Sequence, residues 1–122
     1  MNPPAIIVVT GASRGLGRAA ARRLATEGHR VVATARQVAD LEPLRAELAA
    51  SGHPLACHAL DVTDAPSVAA LAHWLRRHFD HIDGLINNAG ISDRFDTSLL
   101  ELAPEVLATI LETNLFGVLR VT

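Results

Sequence analysis

The sequence contains no lysine and no tyrosine, and Cys57 is its single cysteine. A lone cysteine cannot form a disulfide within the chain. Its strand-like surroundings, LACHALDV, indicate a small, inert, buried hydrophobic residue. Any mechanism that needs a lysine or a tyrosine must obtain it from outside these 122 residues.

Features of membrane, secreted and nucleic-acid-binding proteins are also absent from the sequence. No apolar run approaches the roughly 20 residues that cross a bilayer, and the start MNPPAIIVV lacks the basic region and cleavage site of a signal peptide. The formal net charge is -2 and the arginines are scattered, which argues against a nucleic-acid surface. We expect a cytoplasmic protein with neither a membrane nor a nucleic-acid partner.

The hydrophobic pattern predicts one α/β domain over residues 1–122. The chain is 49% hydrophobic, which is enough to form a core. Short apolar runs alternate with longer segments of helical spacing, in the order βαβαβαβα. The continuous apolarity of the short runs is typical of strands covered on both faces in a parallel sheet. The predicted strands are 5–10, 30–35, 55–60 and 84–87.

Four amphipathic helices are predicted between and after these strands. Gly28 and Gly52 stand where C-terminal caps belong, an Asp64 or Thr63 cap precedes the third helix, and Pro104 opens the fourth. The stripes that define the four helices are Leu16, Ala20 and Leu24; Leu41, Leu44 and Leu48; Val68, Leu71, Ala72, Leu75 and Phe79; and Leu107, Ile110, Leu111, Asn114 and Val118.

Asn114 is a polar residue on the otherwise apolar stripe of the last helix. An amide without hydrogen-bond partners in such a place would cost about 1–3 kcal/mol. We therefore expect Asn114 to be buried and hydrogen-bonded.

The stretch TGASRGLG, residues 10–17, lies directly behind the first predicted strand. Its glycines fall where the strand ends and a helix begins, so the free N–H groups of the helix face whatever lies across the sheet edge. Gly11 permits a tight turn, Gly15 lets a diphosphate approach the backbone, and Gly17 allows the helix to pack closely on the strand. The alternative is a turn that merely joins two elements.

With a strand before it and a helix after it, the spacing G-x-x-x-G-x-G resembles the cofactor loop of the short-chain dehydrogenase/reductase family. It differs from the usual fingerprint G-x-G-x-x-G and lacks the lysine of a P-loop. The resemblance covers essentially the whole chain and implies a doubly wound parallel sheet, a Rossmann-like three-layer sandwich with the incomplete strand order 3-2-1-4. Three further stretches match the family: Asp61-Val62 after the third strand, Asn87-Asn88-Ala89-Gly90 after the fourth, and Asn114 in ETNLFG.

The resemblance implies a nicotinamide cofactor and assigns roles to these residues. The Asp61 carboxylate would accept from the adenine amine while Val62 lends its backbone, and Asn114 would belong to the catalytic tetrad. Simpler roles stay open, since Asp61 could cap the following helix and Asn87 and Asn88 could be turn residues. The implied cofactor contacts are Gly11, Ser13, Arg14, Gly15, Leu16, Gly17, Arg36, Asp61, Val62, Asn88, Ala89 and Gly90.

The segment VVATARQ, at the end of the second strand, bears on which nicotinamide cofactor is bound. NAD-selecting sites carry an acidic residue there, which accepts from the ribose 2′-hydroxyl, and this segment has none. Arg36 just beyond the strand and Arg14 in the loop could instead bind a 2′-phosphate. Family members with basic residues at both positions usually take NADP(H), so we expect NADPH, with NAD less favoured. A solvated surface cation is the alternative for Arg36.

The family's proton relay uses a tyrosine, a lysine and a serine, and only its asparagine has a counterpart here, Asn114. We expect the N-terminal, nucleotide-binding part of an NADP-dependent oxidoreductase acting on a small carbonyl or alcohol substrate. The alternatives are a catalytically inactive NADP(H)-binding module and a fragment that cannot fold stably alone. An exposed apolar edge at 85–88 would invite the C-terminal part, another chain or a homo-oligomeric copy. The six histidines are expected at the surface or in packing, without a metal.

Overall fold

The sheet has the strand order predicted from the sequence. The computed structural model describes residues 3–90 and 103–122. Its four parallel strands lie in the order β3-β2-β1-β4, and their bounds fall within one residue of the predicted ones. The strands are β1 (Ile6–Val9), β2 (Arg30–Ala35), β3 (Ala56–Ala59) and β4 (Gly84–Ile86).

Helical segments connect and follow the strands. The left-handed backbone of Gly28 (φ 96°) and Gly52 (φ 82°) ends the first two helices, as predicted. Asp64 occupies the N-cap position of the third helix, but its side chain makes no capping hydrogen bond. The helices are α1 (Gly15–Thr26), α2 (Glu42–Ala50, after a 3₁₀ turn at Val38–Leu41), α3 (Ala65–His78), α4 (Pro104–Leu111) and α5 (Gly117–Val121).

The core lies where α1 and α2 cover the sheet. Val9, Ala33, Leu41, Leu44 and Leu48 all belong to it and are at most 1% exposed. Burying a side chain of this size contributes about 1.5–3 kcal/mol. A smaller cluster joins Leu60, Val62 and Leu71, and so fixes α3 against the end of β3.

The buried face of α1 differs from the predicted stripe. Leu16 is 82% exposed, whereas Gly17, Ala21 and Ala25 are the buried residues of this helix. Small side chains face the core because the helix lies close above it, and only Leu24 of the predicted stripe packs there beside Ala21 and Ala25. Leu16 is left at the carboxyl edge of the sheet.

The last predicted helix is divided rather than continuous. A π-helical turn, Glu112–Phe116, joins α4 to α5, and Asn114 lies in this turn. The expectation that Asn114 is buried is wrong, because its side chain is exposed. No residue of α4 is fully buried, and Leu111 of the predicted stripe is 41% exposed.

Strand β4 forms one edge of the sheet, because β1 is its only partner strand within residues 3–90 and 103–122. Leu85 and Ile86 are half-buried there. None of the described helices is long and apolar enough to span a membrane.

Candidate functional site

The loop between β1 and α1 needs glycine at positions 11 and 17 for steric reasons. Gly11 has φ 63°, and a Cβ on it would lie 2.8 Å from the Cα of Ala89. A Cβ on Gly17 would overlap the carbonyl oxygen of Gly11 and Nδ2 of Asn88. The close packing predicted for Gly17 is therefore made mainly against the loop and Asn88.

Gly15 is constrained in a different way. Its φ is 59°, yet a Cβ there would meet no atom of the described chain within 4 Å. Arg14, the N-cap of α1, has an extended backbone and provides no side-chain cap. The amides of Gly15, Leu16 and Gly17 meet no acceptor among the described residues. The start of α1 thus offers free N–H groups beside open space, the arrangement that binds phosphates.

Partly buried hydrogen bonds fix this loop to the end of β4. Thr10 is 1% exposed, and its Oγ1 accepts from the N–H groups of Asn88 and Ala89, both at 2.9 Å. The Asn88 side chain donates from Nδ2 to the Gly11 carbonyl at 3.0 Å. Asn88 is therefore more than a turn residue. It joins the Asn-Asn-Ala-Gly segment to the glycine loop.

The sequence analysis did not single out the hydroxyl of Thr10 or that of Thr34. Thr34 is fully buried, its Oγ1 donates to the Val9 carbonyl at 3.1 Å, and its own carbonyl accepts from Ala12 at 2.9 Å. The sequence did offer a signal for both residues, because each threonine lies near the end of an otherwise apolar strand. A hydroxyl buried there must find a hydrogen-bond partner. Together the two threonines hold the loop over β2 and β4.

Replacing Thr10 by valine is expected to lower the free energy of unfolding by about 2 kcal/mol, because it leaves two partly buried backbone N–H groups without an acceptor. Thr34→Val is the matched control, since it removes only one donor and should cost about 1 kcal/mol. Urea denaturation of both variants measures the difference. Equal losses would contradict the role given to Thr10.

Asp61 and Val62 follow β3 at the same edge of the sheet. Oδ1 of Asp61 accepts from the N–H and the hydroxyl of Thr63, at 2.9 and 2.6 Å. These two hydrogen bonds, and more weakly the charge of Arg36, lower the pKa of the Asp61 carboxyl against a smaller opposing effect of burial. The carboxylate stabilises the turn before α3, and its Oδ2 has no hydrogen-bond partner within the described ranges.

Arg14 and Arg36 are exposed, and neither forms an ion pair with any residue that the structure describes. Arg36 follows β2 directly, and its positive charge is close enough to the Asp61 carboxyl to contribute to lowering its pKa. Both guanidinium groups are thus available to an anion at the carboxyl edge of the sheet.

Asn114 lies beside the Asn-Asn-Ala-Gly segment. Its Oδ1 would be 3.2 Å from a Cβ placed on Gly90, which has none. Asn87 donates from Nδ2 to Oγ1 of Thr122 at 3.2 Å. The structure therefore brings the π-helical turn, the end of β4 and the glycine loop to one edge. Ser13 is half-buried in that loop.

Outside this edge, the cysteine and two of the six histidines pack against neighbouring side chains. Cys57 is half-buried on β3, and burial raises the pKa of its thiol. His58 and His78 pack against Trp74, with ring centroids 5.2 and 4.3 Å away. No group of three or more histidine, cysteine or acidic residues that could hold a metal occurs in the described part of the chain.

The strand order, the glycine loop and the open helix terminus define a Rossmann-like α/β fold. Residues 5–122 match the model of the family described as short chain dehydrogenase. The chain belongs to this family.

Known relatives agree with that assignment. The chain is 40% identical over 124 residues to dehydrogenase/reductase SDR family member 7B of Bos taurus, covering 97% of this chain and 38% of that protein. It is 39% identical over 117 residues to 3-oxoacyl-(acyl-carrier-protein) reductase FabG of Escherichia coli strain K12, covering 96% and 46%. The crystal structure of a metagenomic short-chain oxidoreductase in complex with NADP superposes with a TM-score of 0.87 at 36% identity, over 96% of this chain and 52% of that one. The chain thus spans about half the length of these proteins or less.

Proposed function

We propose that this chain is the nucleotide-binding part of an NADP-dependent oxidoreductase, which transfers hydride between nicotinamide and a carbonyl or alcohol carbon of a small molecule. The observation that carries the proposal is the start of α1, where Gly15 borders open space and the amides of residues 15–17 meet no acceptor. The structural relative solved with NADP, at a TM-score of 0.87, supports the choice of ligand.

The residues at this edge fit such a cofactor in charge and in hydrogen-bonding groups. The helix amides and the dipole of α1 would hold the diphosphate, for which the lack of a side chain at Gly15 leaves room. Oδ2 of Asp61 would accept from the adenine amine. Arg14 and Arg36, both exposed cations, would bind the 2′-phosphate.

When bound, the nicotinamide supplies or accepts the hydride. The chain's own contribution is to orient and enclose the cofactor. The Asn-Asn-Ala-Gly segment, tied to the loop through Thr10 and Asn88, would border the ribose. Asn114, beside Gly90, would hold a water molecule at the rim of the site.

NADPH at a hundred times its dissociation constant is expected to stabilise the folded chain by about 2.7 kcal/mol, and NADH by less at the same concentration. Thermal unfolding with and without each cofactor measures this. Gly15→Asp should abolish the shift, because it places a negative charge where the diphosphate would lie.

Gly28→Asp is the matched control, since Gly28 also has a left-handed backbone and open space around it but lies at the opposite end of α1. The control variant should keep the NADPH shift. An unchanged shift in Gly15→Asp would contradict the proposed diphosphate site.

A second candidate function is binding of NADP(H) without turnover. It is favoured by the lack of any tyrosine or lysine, the residues that the resemblance assigns to proton transfer. Further polypeptide along the open edge of β4, either the rest of a longer cytoplasmic enzyme or a different chain, would supply these groups, whereas a second copy of this chain would not. The 122-residue chain alone should therefore bind NADPH without reducing ketones. Ketone reduction by this chain would show that the tyrosine and lysine are dispensable.

A further inference from the structure

Arg120 of α5 and Glu112 form an ion pair across the π-helical turn that carries Asn114. NH2 of Arg120 donates to Oε1 of Glu112, the first residue of the turn, and the two residues are 8 positions apart. The pair is partly sheltered, because the two side chains are 31% and 42% exposed. NH1 of Arg120 also donates to the Val62 carbonyl oxygen at 3.3 Å, which joins the same guanidinium to the chain before α3.

The spacing of this pair depends on the π-helical turn. In an uninterrupted α-helix, residues eight positions apart are separated by about 80° around the axis and about 12 Å along it. A π-helical turn holds one additional residue, so eight residues across it correspond to about seven residues of an α-helix. Seven residues complete two turns to within about 20°. Glu112 and Arg120 therefore share a face of the helix when the turn is π-helical, and not when it is α-helical.

The helix on one side of the turn is anchored more firmly than the helix on the other. Gly117, the first residue of α5, is buried, and a Cβ on it would lie 2.6 Å from Cγ2 of Val62. Val121 packs against the small cluster that contains Val62. No residue of α4 is fully buried. Relaxation of the turn to an α-helix would therefore rotate α4 by about 100°, the angle of one residue, and would displace Asn114 within the turn.

The π-helical register also sets where the Asn114 side chain lies. The Gly117 N–H donates to the carbonyl oxygen of Glu112, five residues back. In this register Oδ1 of Asn114 is 3.2 Å from the position of a Cβ on Gly90. An α-helical register would transfer the Gly117 N–H to the carbonyl oxygen of Thr113. The contact of Asn114 with the end of the Asn-Asn-Ala-Gly segment therefore belongs to the π-helical register.

We propose that Arg120 and Glu112 are positioning residues, whose ion pair favours the π-helical register and thereby holds Asn114 at the rim of the site. The pair stabilises this register selectively, because the two side chains lie on different faces in the α-helical register. Because Arg120 also donates to the buried Val62, its guanidinium is held by the anchored part of the fold. The inference rests on the proposed function, which gives Asn114 its role in holding a water molecule.

Nuclear magnetic resonance of the 122-residue chain tests the proposal. The wild type should show a scalar coupling across the hydrogen bond from the Gly117 nitrogen to the Glu112 carbonyl carbon, and a nuclear Overhauser effect between the Asn114 side-chain amide and Hα of Gly90. In Arg120→Met the ratio of π-helical to α-helical register should fall by about threefold to tenfold, the factor of one net hydrogen bond. The coupling measures this ratio, and relaxation dispersion of the Gly117 nitrogen measures it where one register is minor.

Two further variants separate a positioning role from a general loss of stability. Glu112→Gln should lower the ratio of the registers by about twofold to fivefold, the factor of an exposed ion pair, and it tests the same pair should Arg120→Met not fold. Arg120→Lys, which keeps the charge, should restore part of the ratio. A purely structural weakening would lower the free energy of unfolding and leave the ratio unchanged. Arg23→Met is the matched control, because Arg23 also pairs with a glutamate, Glu27, but on α1.

A wild-type ratio of the registers in both Arg120→Met and Glu112→Gln would overturn the inference and leave the proposed function intact. Failure of the wild-type chain to bind NADPH would overturn the proposed function and, with it, the role given to Asn114. The first result is measured on the free chain and the second by adding the cofactor, so the two failures are distinguishable.

Discussion

Gly17→Ala is expected to lower the free energy of unfolding by more than about 3 kcal/mol and to abolish NADPH binding. The added Cβ would overlap the Gly11 carbonyl oxygen and Nδ2 of Asn88, which are hydrogen-bonded to each other at 3.0 Å. The first atom belongs to the backbone and the second is the end of a side chain that this bond holds in place, so relief requires breaking the bond or displacing α1. Urea denaturation and NADPH titration measure the two effects.

Gly84→Ala is the control for this substitution. Gly84 lies in β4, and a Cβ there would meet only the Ile7 side chain, at 3.5 Å, an ordinary contact. The free energy of unfolding of the Gly84→Ala variant should change by less than about 1 kcal/mol, and the variant should still bind NADPH. A Gly17→Ala chain as stable as Gly84→Ala would mean that the loop is not packed as described.

The sheet could be predicted from the sequence because its strands are continuously apolar. Residues 30–35, for example, read RVVATA, and Val31 and Val32 are both buried in the observed β2. Such a run is typical of a strand covered on both sides, and helical segments between successive runs indicate parallel crossovers. The strand order itself came from the family resemblance rather than from this pattern.

The helix faces were harder to predict, for two physical reasons. On α1, a hydrophobicity pattern favours Leu16, but close packing requires the small side chains of Ala21 and Ala25. On the last helix, a π-helical turn adds a residue to one turn and shifts the faces that follow, so a stripe drawn at regular spacing does not place Asn114 correctly.

The sequence indicated those site residues that stand out by type and spacing. It did not indicate contacts between residues that lie far apart along the chain. Gly11, Gly15 and Gly17 stand out in the sequence by type and spacing. The hydrogen bond from the Asn88 N–H to Oγ1 of Thr10 joins residues 78 positions apart, and no local pattern indicates it.

Arg36→Asp is expected to weaken NADPH binding by about 100-fold while leaving NADH binding unchanged or tighter. Hydrogen bonds to a charged group contribute about 1.5–3 kcal/mol each, so the loss of a guanidinium from the 2′-phosphate accounts for about this factor. The new carboxylate would repel the 2′-phosphate but could accept from the 2′-hydroxyl of NADH. Titration of both cofactors against the wild type and the variant measures the change in preference.

Arg77→Asp makes the same change of charge far from the site. Arg77 is exposed near the C-terminal end of α3, about 18 Å along that helix from its start beside Asp64. A field effect of net charge would weaken NADPH binding in both variants and would diminish with added salt, whereas a direct contact affects only Arg36→Asp. Because Arg36 already lowers the pKa of the neighbouring Asp61 carboxyl, its charge acts at the adenine end of the proposed site. Equal preferences in wild type and Arg36→Asp would therefore remove Arg36 from the site and leave Arg14 as the remaining candidate for the 2′-phosphate.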